Sequence, residues 1–404
     1  MQRVNNIKYA MLCILCLFMG YELTITTRLY VMDLASLFLG PLCFLFTWKI
    51  GREIFIYLAF GIFCVLIFAL FDTQGEPTPY EVLKGAARNL GYVFSIVIGF
   101  FMVSRLGLKK GLFLILIISL SFSLYNLFVH QIFGYSIRQS LKYGGGYYAL
   151  NSLTLLSPNH LVSCVLYAVI FPFLGVYYHY RGIILMGIVT GILPILWRLQ
   201  RRMNPALTAL ILGTAVVASS LLVYNYLQYR SEMNGTIIRD TASTETRYDM
   251  VLDAVEQFRE SPLIGNGSYS QSFRHFDALD SSYFTGVHSV FLQLLAEYGI
   301  LGGLFSIVYF IGPIGLLFIR RLRIIFSKEY LGRFIYPFTF LLVHSGYSFF
   351  FSPFTGFWRN IFGLTVGACL AILYNEDPIY NQFPRHRRGR DTLEGNIQLP
   401  GRKE

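Results

Sequence analysis

Long apolar runs dominate this chain. Runs of about 17–25 residues recur along its 404 residues, and each is long enough to cross a hydrocarbon core of about 30 Å as a helix. Only 14% of the residues are charged, whereas soluble domains carry about 25%. The runs do not alternate apolar and polar residues, as the strands of a membrane barrel would. We therefore predict an all-α polytopic membrane protein.

The apolar runs predict about 11–12 transmembrane helices. The predicted spans lie near 8–22, 30–48, 54–71, 91–104, 111–130, 161–178, 183–197, 206–226, 303–320, 332–350 and 356–374. The short linkers 49–52 and 105–110 are basic, which places them in the cytoplasm and the linkers 23–29 and 72–90 outside. The net charge of +11 has the same explanation, because Lys and Arg collect in short loops. It does not indicate a nucleic-acid partner.

Polar stretches divide the chain into an N-terminal transmembrane bundle (1–227), a large outer loop (228–302), C-terminal transmembrane helices (303–374) and a cytoplasmic tail (375–404) that we expect to be disordered. Counting spans back from the basic tail puts the loop in the periplasm. Counting forward from a cytoplasmic N-terminus puts it inside the cell. We adopt the backward count because its loops are the most basic. The short run 183–197, which glycine and proline interrupt, is then the one expected not to be a full crossing.

The residue pattern of the outer loop predicts two amphipathic helices, of which the first runs from Thr246 to Glu260. Apolar residues recur on one face and carboxylates on the other: Val251, Ala254, Val255 and Phe258 against Asp249, Asp253, Glu256 and Glu260. Arg247 lies in the predicted first turn, where a cation opposes the helix dipole. That position favours an anionic partner for Arg247, although a pair with Asp249 or Asp253 is the plain alternative.

A turn and a histidine follow this helix. Residues 262–267 read Pro-Leu-Ile-Gly-Asn-Gly, which is typical of a turn. His288 then begins the second helix, because Phe291, Leu292 and Leu295 share its face. This helix leads into Gly299, where glycine permits close packing.

These residues suit one kind of chemistry at the boundary of water and lipid. A neutral histidine can accept a proton from a hydroxyl, and arginines can hold a diphosphate as it leaves. The combination suits transfer of a sugar from a lipid diphosphate to an acceptor hydroxyl. A solvated or capping His288 is the alternative. The chain has no Walker-type loop, HExxH, GxSxG or DxD pair, and carboxylates within its spans are too scarce to favour an ion-coupled transporter.

Other polar features leave two interpretations open. Arg138 precedes the glycine run 144–146, which either lets backbone amides approach a phosphate or forms a plain loop. Ser157-Pro158-Asn159 is consistent with capping of the next span. Asp33, at the start of a span, either positions a sugar hydroxyl or caps the helix. The six cysteines fall in apolar runs, so we interpret them as membrane-core side chains and predict no metal site.

The series in the outer loop resembles a known family, the superfamily of O-antigen ligases and O-antigen polymerases often called Wzy-C. That family has an arginine opening an amphipathic helix, a Pro-Leu-x-Gly-x-Gly turn and a His-Asn or His-Ser pair, with Glu and Gly about ten residues further on. The matching residues are Arg247, Pro262 to Gly267, His288-Ser289, Glu297 and Gly299. Ser157-Pro158-Asn159 resembles the family's upstream Asn-Pro-Asn, with serine in place of the first asparagine.

The resemblance implies an inverting glycosyltransferase of the GT-C-like kind that needs no metal or other cofactor. It implies work at the periplasmic face of the bacterial inner membrane on an undecaprenyl-diphosphate-linked glycan. His288 would activate the acceptor hydroxyl, and Arg247 would hold the donor diphosphate. Arg239 or Arg202 would assist Arg247, and further candidate contacts to the donor diphosphate or glycan are Arg138 and Asn159.

The acceptor is open at this level. A polymerase extends another lipid-linked repeat unit, whereas a ligase transfers the same glycan to lipid A–core. The moderate length of the outer loop favours the polymerase, for which a chain-length-regulating co-polymerase is a candidate partner beside the lipid bilayer. A flippase for lipid-linked oligosaccharides is the hypothesis from another class.

Overall fold

The computed structural model describes residues 2–24, 29–47, 52–72, 79–132, 173, 237–267, 289–313, 315–316 and 358–374. Within these ranges the helices are α1 Gln2–Phe18, α2 Val31–Thr47, α3 Arg52–Phe71, α4 Pro79–Leu106, α5 Leu108–Ile132, α6 Ile237–Glu260, α7 Val290–Ser306 and α8 Trp358–Tyr374. A π-helical turn, Ile307–Ile311, continues α7. Two short antiparallel strands, β1 Glu22–Thr24 and β2 Leu29–Tyr30, join α1 to α2 and are a small departure from the all-α prediction.

The described helices fit a polytopic membrane protein. Four stretches are long and apolar enough to cross a membrane: Arg52–Phe71, Gly85–Leu106, Lys110–Val129 and Val290–Ile311. Three shorter apolar helices accompany them: Asn6–Phe18, Val31–Thr47 and Arg359–Ala371. The predicted polytopic helical fold is therefore confirmed. The predicted spans 161–178, 183–197, 206–226 and 332–350, together with the tail 375–404, lie outside the described residues.

The crossing expected to begin near residue 303 begins earlier. The apolar stretch runs from Val290 to Ile311 without a loop, so the amphipathic helix and the next span are one helix with a kink at Tyr298 and Gly299. The boundary drawn at residue 302 consequently falls inside α7. Hydropathy alone missed this continuity because Gln293 and Glu297 are polar, yet the structure buries both.

Small residues allow α4 and α8 to pack closely. Gly363 and Gly367 on α8 are spaced as in the GxxxG pattern of membrane helix pairs. A Cβ on Gly367 would overlap the backbone of α4 at Ile96, and a Cβ on Gly99 would overlap the backbone of α8 at Leu364. The two backbones therefore touch where glycine leaves room.

We expect Gly99→Ala to destabilise the folded protein by about 1–3 kcal/mol, because the added methyl must push α8 away from α4. Gly99→Leu should prevent accumulation of folded protein in the membrane. Gly315→Ala is the matched control, since no atom of the described residues lies within 4 Å of a Cβ built there. Thermal unfolding of the purified protein in detergent measures the difference, and equal midpoints for Gly99→Ala and Gly315→Ala would contradict the packing argument.

Two contacts place the outer loop relative to the bundle. The Asp72 side chain, at the end of α3, lies 3.5 Å from a Cβ built on Gly267. Arg88, near the start of α4, pairs with Glu297 of α7. The described part of the loop and the ends of the 72–90 linker thus lie at the same end of the bundle, as the count made back from the C-terminus requires.

Candidate functional site

The site is built where α7 kinks against the turn that follows α6. Tyr298 (φ −132°, ψ 17°) and Gly299 (φ 61°, ψ −149°) leave the helical region, which frees carbonyl and amide groups that a straight helix would pair internally. The Asn266 amide donates to the Ala296 carbonyl at 3.1 Å, and the Gly267 amide donates to the Glu297 carbonyl at 2.8 Å. In return the Ile300 amide donates to the Pro262 carbonyl at 2.8 Å. We call this set of bonds the interlock.

The glycines of the motif are explained by the interlock. Gly265 (φ 75°) and Gly267 (φ 85°) adopt the left-handed region that favours glycine. A Cβ on Gly265 would overlap the backbone at Glu297 and Tyr298, and a Cβ on Gly299 would lie 2.6 Å from the Pro262 carbonyl oxygen. The Pro-Leu-x-Gly-x-Gly turn and the glycine two residues after Glu297 therefore fit each other. They have a structural role, which is to hold α6 against α7.

We expect Gly265→Ala to cost more stability than Gly267→Ala. Both variants impose a left-handed backbone on alanine, at about 1–2 kcal/mol. Only at Gly265 does the new Cβ also overlap the α7 backbone, whereas at Gly267 the nearest atom among the described residues is 3.5 Å away. Thermal unfolding in detergent should therefore show a lower midpoint for Gly265→Ala. Equal midpoints would mean that backbone conformation alone explains the glycines.

The interlock sets α6 and α7 side by side and pointing the same way. Ala254 of α6 and Ala296 of α7 are buried together, with Leu292 packed against them. The turn after α6 reaches the later position Ile300, so residue numbers rise in the same direction along both helices. Arg247 precedes Ala254 by two helical turns, and Ser289 precedes Ala296 by the same interval. The backbone of Arg247 therefore lies at about the level of Ser289, the residue after His288.

The structure corrects the predicted first helix. It begins at Ile237 rather than at Thr246, so Arg247 lies within the helix and the argument from the helix dipole was wrong. The buried positions are Met250, Ala254 and Gln257, while Val251 is 37% exposed. Gln257 is also buried, and its backbone carbonyl accepts from the Asn266 side-chain amide at 2.7 Å, which ties the turn to the end of α6.

A buried ion pair fixes α7 to the bundle. Arg88 and Glu297 are each 1% exposed, and Arg88 Nη2 lies 2.5 Å from Glu297 Oε2. Gln293 Nε2 donates to the other carboxylate oxygen at 3.0 Å. Asn89 Nδ2 donates to the Tyr298 hydroxyl at 3.0 Å. Adjacent residues of α4 thus hold adjacent residues of α7 at its kink.

The start of α7 is defined by Ser289. This residue is buried, with 4% exposure, and its hydroxyl accepts from the Leu292 amide at 3.3 Å as the N-cap of the helix. His288 itself lies outside the described residues, but its neighbour is held at the head of a helix that the Arg88–Glu297 pair anchors. A helix is confirmed at the predicted position, beginning at Val290, but it is the first part of an apolar stretch of membrane length rather than a separate amphipathic helix.

The structure describes some of the predicted site residues and not others. Arg239 and Arg247 are both residues of helix α6. His288, Arg202, Arg138 and Asn159 lie outside the described residues. Their assignments remain predictions. The structure places α6, which contains Arg247, beside α7, which begins two residues after His288.

A comparison with protein families matches a segment that includes α6 and α7. Residues 166–307 match the family model Wzy_C, which is described as O-antigen ligase. The match covers Arg202, Arg239, Arg247 and His288, and it ends just after α7. No curated protein matches the chain.

The Wzy_C match confirms the resemblance inferred from the motifs. It supports an O-antigen ligase or polymerase type of enzyme in general terms. Arg88 was missed by the sequence analysis because it falls in the predicted linker 72–90, whereas the apolar stretch of α4 begins at Gly85. Its partner Glu297 lies 209 positions away, and nothing in a single sequence connects the two.

Proposed function

We propose that this protein is a polysaccharide polymerase of the bacterial inner membrane. It transfers a glycan from an undecaprenyl-diphosphate-linked donor to a hydroxyl of a lipid-linked repeat unit, at the periplasmic face. What supports the proposal is the Wzy_C match together with the interlock, which sets Arg247 and Ser289 at the same level of two adjacent helices. The donor class comes from the family resemblance.

The proposed reaction assigns one task to each group. His288 accepts the proton of the acceptor hydroxyl as its oxygen attacks the anomeric carbon of the donor. The bond from that carbon to the diphosphate oxygen breaks, and undecaprenyl diphosphate leaves from the opposite face, which inverts the configuration. Arg247, assisted by Arg239 or Arg202, offsets the charge that builds on the leaving diphosphate. The step needs no metal or other cofactor.

An O-antigen ligase is the second candidate, and one observation favours it: the matched family model is itself described as O-antigen ligase. Both enzymes share the donor and differ in the acceptor. The interlock and the Arg88–Glu297 pair hold the helices next to the proposed base and arginine, which both enzymes need, so these contacts suit both equally.

Deletion of the gene, followed by electrophoresis of the cell-surface polysaccharide, separates the two candidates. Loss of the ladder with one repeat retained on lipid A–core indicates the polymerase. Loss of every repeat from the core indicates the ligase. Purified protein with a lipid-linked donor must also form a new glycosidic bond, because a flippase would move the donor and leave its glycan length unchanged.

A further inference from the structure

The interlock explains the proline carbonyl and the glycines of the Pro-Leu-x-Gly-x-Gly turn, but it does not explain Leu263. The Pro262 carbonyl accepts from the Ile300 amide, and a Cβ on Gly265 would overlap the backbone of α7. The Leu263 side chain takes no part in this packing, because it is 72% exposed. What Leu263 contacts therefore depends on the surroundings of the turn.

Leu263 extends an apolar stripe that runs along α7 and its π-helical turn. Four exposed apolar residues recur every three or four positions there, which places them on one face: Ile300, Leu304, Ile307 and Ile311. The Leu263 carbonyl oxygen would lie 2.7 Å from a Cβ built on Gly299. Leu263 is therefore next to Ile300, at the end of the stripe nearest the kink. The stripe belongs to the apolar stretch that is long enough to cross a membrane.

A second exposed stripe, on α3, ends at the same level of the bundle. Its members are Ile56, Phe60, Phe63, Leu66 and Leu70. Asp72, two residues after Leu70, has its Oδ1 atom 3.5 Å from a Cβ built on Gly267. Leu70 and Leu263 therefore lie near one another in depth, each at the end of an exposed apolar stripe.

This level matches one edge of a membrane's hydrocarbon core. The helix α3 has 20 residues, so it is about 30 Å long. The hydrocarbon core of a bilayer is also about 30 Å thick. Arg52, the first residue of α3, suits one boundary of that core. The turn, which lies beside the other end of α3, then falls where hydrocarbon meets the headgroups.

The exposed surface of α6 becomes charged immediately before the turn. Glu256, Arg259 and Glu260 are exposed on the last two turns of α6, whereas Pro262 and Leu263 are the exposed residues that follow. Charged side chains stay in water or among headgroups, because their transfer into hydrocarbon is costly. We call Pro262 and Leu263 the apolar tip. It is the part of this segment whose chemistry fits hydrocarbon.

We propose that the apolar tip is a membrane anchor, in which the Leu263 side chain contacts phospholipid acyl chains at the edge of the hydrocarbon core. Removal of an exposed leucine side chain from water is favourable, and the apolar stripes of α3 and α7 continue the same lipid-facing surface. The anchor sets the depth of the interlock, and with it the depth of Arg247 and of the start of α7. This contact is independent of whether the protein transfers glycans.

Tryptophan in place of Leu263 reports what surrounds the apolar tip. The full chain is reconstituted in vesicles of phosphatidylcholine whose acyl chains carry bromine near the headgroup or near the bilayer centre, because bromine quenches tryptophan on contact. The emission of the three native tryptophans is measured on the wild-type protein and subtracted. We expect the emission added by Leu263→Trp to be lost chiefly in lipid brominated near the headgroup. Acrylamide in the water should quench it weakly.

Two control variants calibrate this measurement. Leu304→Trp, on the exposed stripe of α7 and further from the turn, should be quenched chiefly by bromine near the bilayer centre. Glu256→Trp, at an exposed position of α6, should be quenched by acrylamide. If Leu263→Trp behaves like Glu256→Trp, the tip lies in water. If neither bromine nor acrylamide quenches it, protein covers the tip. Either result would overturn the anchor.

A pair of glutamine variants tests the same contact without a fluorophore. Leu263→Gln should lower the thermal midpoint of the protein in phosphatidylcholine nanodiscs, because a polar amide then replaces a leucine in contact with hydrocarbon. Leu252→Gln is the matched control, since Leu252 is an exposed leucine of α6 beside the charged residues Glu256 and Arg259. Its midpoint should not change. An unchanged midpoint for Leu263→Gln would contradict the anchor, even if the variant retained full transferase activity.

Discussion

Arg88→Ala should destabilise this protein more than any other single change to a side chain of the described bundle, by about 3–5 kcal/mol. The reason is that Glu297 is 1% exposed, and the variant removes the guanidinium that two of its contacts involve. A buried carboxylate would then lack the cation that offsets its charge, which is costly in so dry a place. Loss of monodisperse protein after extraction, or a large fall in thermal midpoint, measures the effect.

Arg105→Ala is the matched control for this prediction. Arg105 lies on the same helix as Arg88, at its opposite end, where it is exposed and lies over the Phe101 ring at 5.5 Å. Removing an exposed cation of this kind should change stability by no more than about 0.5 kcal/mol. Equal losses for the two arginine variants would show that α4 needs positive charge in general rather than the pair with Glu297.

A double variant separates charge from packing. Replacing Arg88 by Met and Glu297 by Leu removes both charges and keeps much of the volume, and such replacements often recover the stability that a single removal destroys. We expect Arg88→Met with Glu297→Leu to be more stable than Arg88→Ala alone. A double variant as unstable as the single one would mean that balancing the charges is not enough, and that the hydrogen bonds between the Arg88 and Glu297 side chains hold α7, since the bond from Asn89 to Tyr298 is present in both variants.

Most of the helical scaffold could be predicted from the sequence because hydropathy is a local property. The first five predicted spans fall on α1 to α5, and the last falls on α8. The turn at Gly265 and Gly267 was predicted from residue type, since few residues tolerate a positive φ. The GxxxG spacing at Gly363 was equally visible and was not used.

The remaining features depend on contacts between distant parts of the chain. The buried stripe of α6 is rotated from the predicted apolar one because α7 packs at Ala254 and the turn bonds back to the Gln257 backbone carbonyl. The polar residues Gln293 and Glu297 lie in a membrane-crossing helix because Arg88 satisfies the carboxylate. The strands β1 and β2 pair just before α2. This pairing depends on the tertiary structure and cannot be read from residue spacing in the sequence. The periodicity of a single sequence does not show which distant residues are in contact.

His288→Ala should reduce the rate of glycan transfer by about 100- to 10,000-fold, the range that a positioned general base contributes. The fold should survive, because the start of α7 is held by the Ser289 cap and by the Arg88–Glu297 pair, and neither involves the imidazole. Purified variants with lipid-linked substrate give the rate, and thermal midpoints confirm the fold.

His275→Ala is the control for that result, since it removes a histidine from the same outer loop but outside the motif. It should retain activity within a few-fold of wild type. In a strain lacking the native gene, unchanged glycan chain lengths with His288→Ala would remove the imidazole from the mechanism. Equal losses in the two histidine variants would instead point to the loop as a whole. Loss in His288→Ala alone, with the interlock intact, is the result expected if a base at the head of α7 works beside the arginine of α6.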